Sequence, residues 1–241
     1  MSGTDGKARA EPVERSRHAQ RARQDRGAET RARLLQAALD VFGRLGFEAA
    51  STREIARQAD ANLAAIVYHF GGKEGLHRAV AEHVAGEIQQ RLGPAASRVS
   101  EAFAAGALDK PAARRLLQGM AEAHLDTMLG LREAEAWARF IVREQMEPSP
   151  VLETLIGFMT PMHAILRRLV GVLMDRDPDG DEVGFLVFTL LGQAMVFRVA
   201  QPIVLRLTGR DAITAGDRAL IASLIASNID RITGVPLEGR P

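Results

Sequence analysis

STREIARQADANLAAIVYHFGGKEG, residues 51–75, is the stretch on which the reading of this chain turns. Ser51-Thr52-Arg53-Glu54 fits a capping box, in which the Ser51 hydroxyl accepts from the Glu54 backbone N–H and the Glu54 carboxylate reaches back to Ser51. Ile55, Ala56 and Ala59 then give a short helix one buried edge. Asp60-Ala61-Asn62 supplies a turn, and Asn62 is a good N-cap for a second short helix from Leu63 to about Tyr68. Gly71-Gly72 stops that helix, and a third opens near Lys73. Two short helices around a tight turn are the parts of a helix-turn-helix.

Such an element needs a first helix packed on the core and a second whose N-terminal end enters the major groove. Ile55 and Ala59 are expected to face inward, with Leu63 and Val67 anchoring the second helix. That assignment leaves Asn62, Ala64, Ala65 and Tyr68 facing outward. Small Ala side chains permit close approach to DNA and can pack on thymine methyl groups, while Asn62 can hydrogen-bond a base edge or a phosphate. Thr52 and Arg53 at one helix start, and Lys73 at another, are placed to hold phosphates.

Working outward, residues 1–28 hold seven basic and four acidic residues, a local charge of +3, and show no sustained apolar face. They read as a disordered basic arm that could add minor-groove or phosphate contacts. From Glu29 the apolar residues Leu34, Leu35, Ala38, Leu39 and Phe42 recur at helical spacing, and Gly43 and Gly46 bracket the helix end. Residues 29–92 carry eight charges of each sign, and the remainder sixteen basic and eighteen acidic residues. A basic patch therefore does not announce a nucleic-acid partner, and the motif carries that inference.

Beyond Lys73 the pattern stays helical, so the fold class is all-α. Helices are expected at about 73–92, 96–105, 110–130, 133–147, 150–175, 181–207 and 215–233, with Gly93-Pro94 ending the first of them. The domains are then the arm (1–28), a helix-turn-helix domain (29–75), a connecting helix (76–94) and a helical effector-binding and dimerisation domain (95–241). Val183–Phe197 is 15 residues without a charge, short of the roughly 20 that a membrane span needs. It is expected to be a helix buried in a subunit interface, with no membrane partner.

The block from about Glu29 to Leu92, with LLQAALDVFGRLGFEAASTREIARQADA, the Asn-capped helix and YHFGGKEGL, resembles the DNA-binding domain of the TetR/AcrR family of bacterial transcriptional regulators. The resemblance implies that Tyr68, His69 and Lys73 hold the DNA backbone or brace the recognition helix, and that Thr52 contacts phosphate. Phe140–Pro150, FIVREQMEPSP, is similar to a segment of a TetR subgroup related to the CecR regulators. That similarity implies a helical domain that binds an effector and forms the dimer, following the N-terminal three-helix helix-turn-helix domain that the TetR/AcrR resemblance implies. Many family members carry Gly, Lys or Thr where this chain has Leu63-Ala64-Ala65, so direct hydrogen-bond readout is sparse.

Other chemistries find little support. With no cysteine in the chain, disulfides and thiolate metal sites are excluded. His69, His77 and His83 are spaced by eight and six residues, which does not set pairs at i, i+4 on one helix face. No Ser- or Asp-centred catalytic motif accompanies His124 or His163, and no glycine-rich phosphate loop appears. No enzyme, cofactor or metal is expected. Seven of the eight methionines lie beyond residue 119. His124, Met128, Trp137, Phe140, Met159, Met162, His163, Gln193 and Phe197, together with Arg143, are candidates to line an adaptable apolar effector pocket.

The resulting expectation is a cytoplasmic, ligand-responsive homodimeric repressor that binds double-stranded DNA at a (pseudo)palindromic operator and responds to a small-molecule effector. The alternative is a helical regulator or interaction protein switched by a protein partner.

Overall fold

The computed structural model describes residues 11–106 and 108–234, with side chains from residue 25 onward. Among them are ten helices and no strand: α1 (Glu11–Ala49), α2 (Thr52–Gln58), α3 (Leu63–Phe70), α4 (Lys73–Ala104), α5 (Lys110–Leu129), α6 (Ala134–Met146), α7 (Leu152–Met174), α8 (Asp181–Val199), α9 (Gln201–Thr208) and α10 (Ala215–Ile232). The chain divides into two compact units between Val80 and Ala81. That boundary falls inside α4, within the stretch read from sequence as a connecting helix.

In the first unit α1 supplies the apolar stripe Leu34, Ala38, Leu39 and Phe42, and Ile55, Ile66, Leu76 and Val80 are buried with it. Gly46 interrupts α1 with φ 77°, ψ 172°, a backbone region that is essentially glycine's alone. Past it the Phe47 ring lies 6.2 Å from Phe42 and 4.7 Å from the buried His77 ring. Arg33 Nε donates to the Ala59 carbonyl at 3.1 Å, setting a cation on the C-terminal end of α2 where the helix dipole favours it.

In the second unit α5 packs against α7, α8 and α10. Its Leu117, Met120 and Leu125 are buried in one core with Leu169, Leu173, Val187 and Ile225. Three arginines of this unit are paired at its core. Arg114 forks onto Asp230, Nε to Oδ1 at 2.6 Å and Nη2 to Oδ2 at 2.7 Å, and Gln118 Nε2 adds a bond to Oδ1 at 3.0 Å. Arg198 Nε donates to the Met128 carbonyl at 2.6 Å and Nη2 to the Leu131 carbonyl at 3.2 Å, satisfying acceptors that the end of α5 leaves free. Arg167 does the same for the α7–α8 connection through the carbonyls of Pro178 and Gly180.

Three boundaries depart from the sequence expectations. Residues 11–28 belong to α1 rather than to a disordered arm; their Ala, Arg, Gln and Glu content favours helix. Residues 1–10 of that arm lie outside the described residues. Gly93-Pro94 does not end α4, which carries Pro94 inside it. The proline forfeits one backbone bond at a cost of about 3 kcal/mol, and burial of Leu92, Ala95 and Val99 on either side offsets it. The expected single helix 181–207 is two, broken at Ala200 (φ −98°, ψ 18°) because Pro202 occupies the first turn of α9.

Asp230→Ala removes the buried carboxylate that Arg114 and Gln118 share and is expected to cost about 3 kcal/mol in chemical denaturation. Asp230→Asn, which keeps an acceptor for Gln118, is expected to cost less.

Candidate nucleic-acid interface and ligand cavity

The turn between α2 and α3 is built from local bonds. Asp60 sits at φ 47°, the left-handed conformation that Asp tolerates better than most residues. Asn62 caps α3 by accepting the Ala64 N–H at 2.8 Å, as the sequence suggests. The cap of α2 differs from the expected box. Ser51 Oγ accepts from the Arg53 N–H at 3.3 Å, and Glu54 turns away to Arg57, with contacts of 2.7 and 3.0 Å. The Glu54 carboxylate accepts two bonds from Arg57 in place of one from the Ser51 backbone N–H, and the Arg57 hydrogen bond holds the Glu54 carboxyl below its ordinary pKa. A complete capping box forms instead at α10, between Thr214 and Asp217.

Ile66 is the anchor of α3 and is fully buried. Leu63 and Val67, read from sequence as anchors, are 42% and 64% exposed; successive residues on an eight-residue helix reach different sides, and the core has room for one. Ile55 and Ala59 are buried as expected. Gly71 closes α3 in the left-handed conformation, φ 76°.

The expected DNA-contacting residues fall into two groups. Arg53, Asn62, Ala64 and Tyr68 are exposed, Tyr68 at 84%. Thr52, Ala65, His69 and Lys73 are half-buried. The His69 ring stands 4.8 Å from the Tyr68 ring. A methyl added at Gly27 would lie 3.9 Å from His69 Cε1, so this imidazole leans toward α1. Lys73 Nζ donates to the Glu48 carbonyl at 3.2 Å and lies 4.6 Å from the Phe47 ring centre. It ties the start of α4 to the end of α1, a bracing geometry.

The second unit encloses a cavity of about 30 Å³ among α4, α5, α7, α8 and α10. Of the nine candidate pocket residues, His124 and Met162 line it. Leu117, Met120, Leu166, Val187 and Ile225, which the sequence reading passed over, line it too. Ordinary aliphatic residues at helical spacing carry no mark that separates a cavity wall from plain core. Met128, Trp137 and Phe140 are buried elsewhere, with the Arg91 guanidinium 4.9 Å from the Trp137 ring centre. Phe197 packs on the core edge and Met159 is largely exposed. Gln193 accepts from Asn228 at 2.8 Å, tying α8 to α10, and His163 stacks near Phe188 with ring centres 4.7 Å apart. Arg143 pairs with Glu147 at 2.7 Å.

His124 is the polar feature of the cavity. Its Nε2 is buried and without a hydrogen-bond partner. Burial in this apolar setting pushes its pKa down to about 4, against the opposing pull of a hydrogen bond to the Leu191 backbone. The ring is therefore neutral at physiological pH. Among the described residues no group of His, Asp and Glu is arranged to hold a metal ion.

Comparison with known proteins matches both units. Residues 34–80 fit the family model described as bacterial regulatory proteins, tetR family, and residues 113–234 fit that of the CecR dual regulator's C-terminal domain. The chain is 31% identical over 208 residues to the HTH-type transcriptional dual regulator CecR of Shigella flexneri, covering 86% of this chain and 92% of that one. A shorter match, 45% identical over 58 residues, links it to the regulatory protein RaaS of Mycobacterium tuberculosis, with 24% and 27% of the two chains covered. The fold is similar to a tetR-family regulatory protein from Rhodococcus RHA1, with TM-score 0.60, 19% identity and 85% and 96% coverage. It is also similar to HlyIIR, a hemolysin II transcriptional regulator, with TM-score 0.55, 18% identity and 84% and 97% coverage. With its three-helix reading unit, its all-helical second unit and a CecR-type sequence along most of its length, this chain belongs to the TetR family of transcriptional regulators.

Proposed function

We propose that this regulator acts as a homodimeric, ligand-responsive repressor. Two α3 helices read the half-sites of a (pseudo)palindromic operator, and a small molecule held in the second unit releases them. The observation that carries the dimer is an uncovered apolar surface on α8 and α10. Phe185 is 72% exposed and Leu220 56%, with Phe188 and Leu224 also exposed. Single apolar side chains on a surface are ordinary, but a run of them along two neighbouring helices favours a partner. A second copy covers it with a four-helix interface, self-complementary about a two-fold axis.

By length and composition alone, α7 and α8 are each apolar enough to cross a membrane. A second copy is the better occupant for α8, since Arg198 near its end is committed to backbone carbonyls of the same unit and Gln193 to α10. Dimerisation is checked by sedimentation equilibrium. Wild type should run at twice the chain mass, and Phe185→Glu combined with Leu224→Glu should run at the chain mass and lose operator binding.

DNA reading is supported by Tyr68, which stands on α3 with most of its surface free and supports no core contact. Tyr68→Ala is expected to weaken binding to the protein's own promoter DNA about tenfold, roughly 1.4 kcal/mol, with no change in melting temperature. Wild-type binding should fall steeply with added salt, since phosphate contacts release counterions. An unchanged affinity in Tyr68→Ala would remove Tyr68 from the interface.

The cavity of about 30 Å³ is smaller than a small-molecule pocket, so an effector has to widen it. Its apolar walls and the His124 Nε2 favour an uncharged, largely apolar molecule that gives one polar group to that nitrogen. A ligand that fits one arrangement of the dimer better than another shifts the population away from DNA. Because the His124 pKa is depressed to about 4 from 6.5, the unfolded chain takes up this proton near pH 6.5 and the folded chain only near 4. Stability contributed at this site is therefore complete above pH 6.5 and lost as pH falls towards 4. Thermal melts across that window should show a shallower decline for His124→Leu than for wild type, and identical slopes would place the ring in contact with water.

Regulation of both signs is a second reading. It is favoured by similarity over most of the chain to a protein named a dual regulator, and reporter fusions to the promoters bound would distinguish it from repression alone.

A further inference from the structure

The outward face of α3 is Leu63, Ala64, Val67 and Tyr68, which fall at i, i+1, i+4 and i+5 and so share one side of the helix. Leu63 and Val67 are 42% and 64% exposed, and Ala64 is exposed beside them. The fully buried anchor of α3 is Ile66. The polar atoms near this face lie at its ends. Asn62 Oδ1 is taken by the Ala64 N–H, and Tyr68 follows Val67 at the C-terminal end of the face. Between them Leu63, Ala64 and Val67 offer neither donor nor acceptor.

In the major groove each base pair shows donors and acceptors, and a T·A pair adds one apolar group, the thymine C5 methyl. A polar base edge covered by Val67 or Leu63 would lose its water and gain no partner. The methyl group is the feature that such a face rewards. We infer that α3 selects its operator by packing Leu63, Ala64 and Val67 on thymine methyl groups, so that each half-site holds thymine under this face. The inference rests on α3 entering the major groove, and it assigns base selection to two side chains that a core-anchor reading would discount.

Deoxyuridine differs from thymidine by that methyl alone and leaves every hydrogen-bonding edge intact, which makes it the probe. The full-length protein selects binding sites from a duplex pool with a randomised centre. Thymines of the selected site are then replaced singly by deoxyuridine, and affinity is read by fluorescence anisotropy at one salt concentration. At one or more thymines per half-site the substitution should weaken binding about fourfold, the transfer value of one buried methyl group. In Val67→Ala or Leu63→Ala that penalty should shrink at the contacted thymine and stay unchanged elsewhere. Val67 is 64% exposed, so Val67→Ala should melt as wild type does, and Leu63→Ala, at a residue 42% exposed, slightly below it. A selected site at which no deoxyuridine weakens binding, or penalties unaltered in both variants, overturns the inference while leaving DNA binding intact. A pool from which nothing is enriched overturns the DNA-reading proposal along with it.

Discussion

A helix of eight residues cannot hold itself in water, because the cost of nucleating its first turn is barely recovered before it ends. α3 is such a helix, and Ile66 is the one side chain it buries. Its position follows from that anchor together with the Asn62 cap at one end and Gly71 at the other. The stripe on α1, Ile55 of α2 and Leu76 of α4 are buried in the same unit, and α3 packs against α1 and α2. Lys73 and Arg33 fasten the outer corners through backbone carbonyls. With so little of α3 committed to the core, most of its surface is left to meet a partner.

The second unit solves a different problem. Its helices are long and apolar, and specificity of packing comes from charges placed among them. The Arg114–Asp230–Gln118 cluster sets α10 against α5, and Arg198 sets α8 against the end of α5. Such pairs need partners in good geometry to offset desolvation, so they favour one register of helices over others. His124 stands apart from this pairing. It is the cavity group whose Nε2 finds no partner, and it marks the point at which a bound molecule could add a bond that the protein alone lacks.

The helix-turn-helix was legible because its evidence is local. Asn62, the double glycine and the break at Asp60 act within a few residues of themselves, and backbone geometry follows from them directly. The same locality misled at Ser51 and at Pro94. A capping box was possible at Ser51, but Arg57 competes for Glu54 one turn on. Gly93-Pro94 is a helix stop in isolation, but burial of its neighbours carries α4 through it. The cavity was the least legible. Aromatic, sulfur-bearing and polar residues stand out in a sequence, while the cavity is walled mostly by Leu, Ile and Val, whose role depends on what faces them.

Sequence alone determined the all-helical class, the helix-turn-helix at 51–75 and the family, because caps, turn residues and helical periodicity are encoded within short windows. Tertiary structure alone decided which faces of those helices are covered. Leu63 and Val67 read as core from composition, and they are exposed because Ile66 already fills the space available. His124 and Met162 share a cavity while Trp137 and Phe140 do not, since burial depends on contacts between residues far apart in the chain. Periodicity tells that a helix has an apolar side; only the packing tells which apolar residues remain free to bind something else.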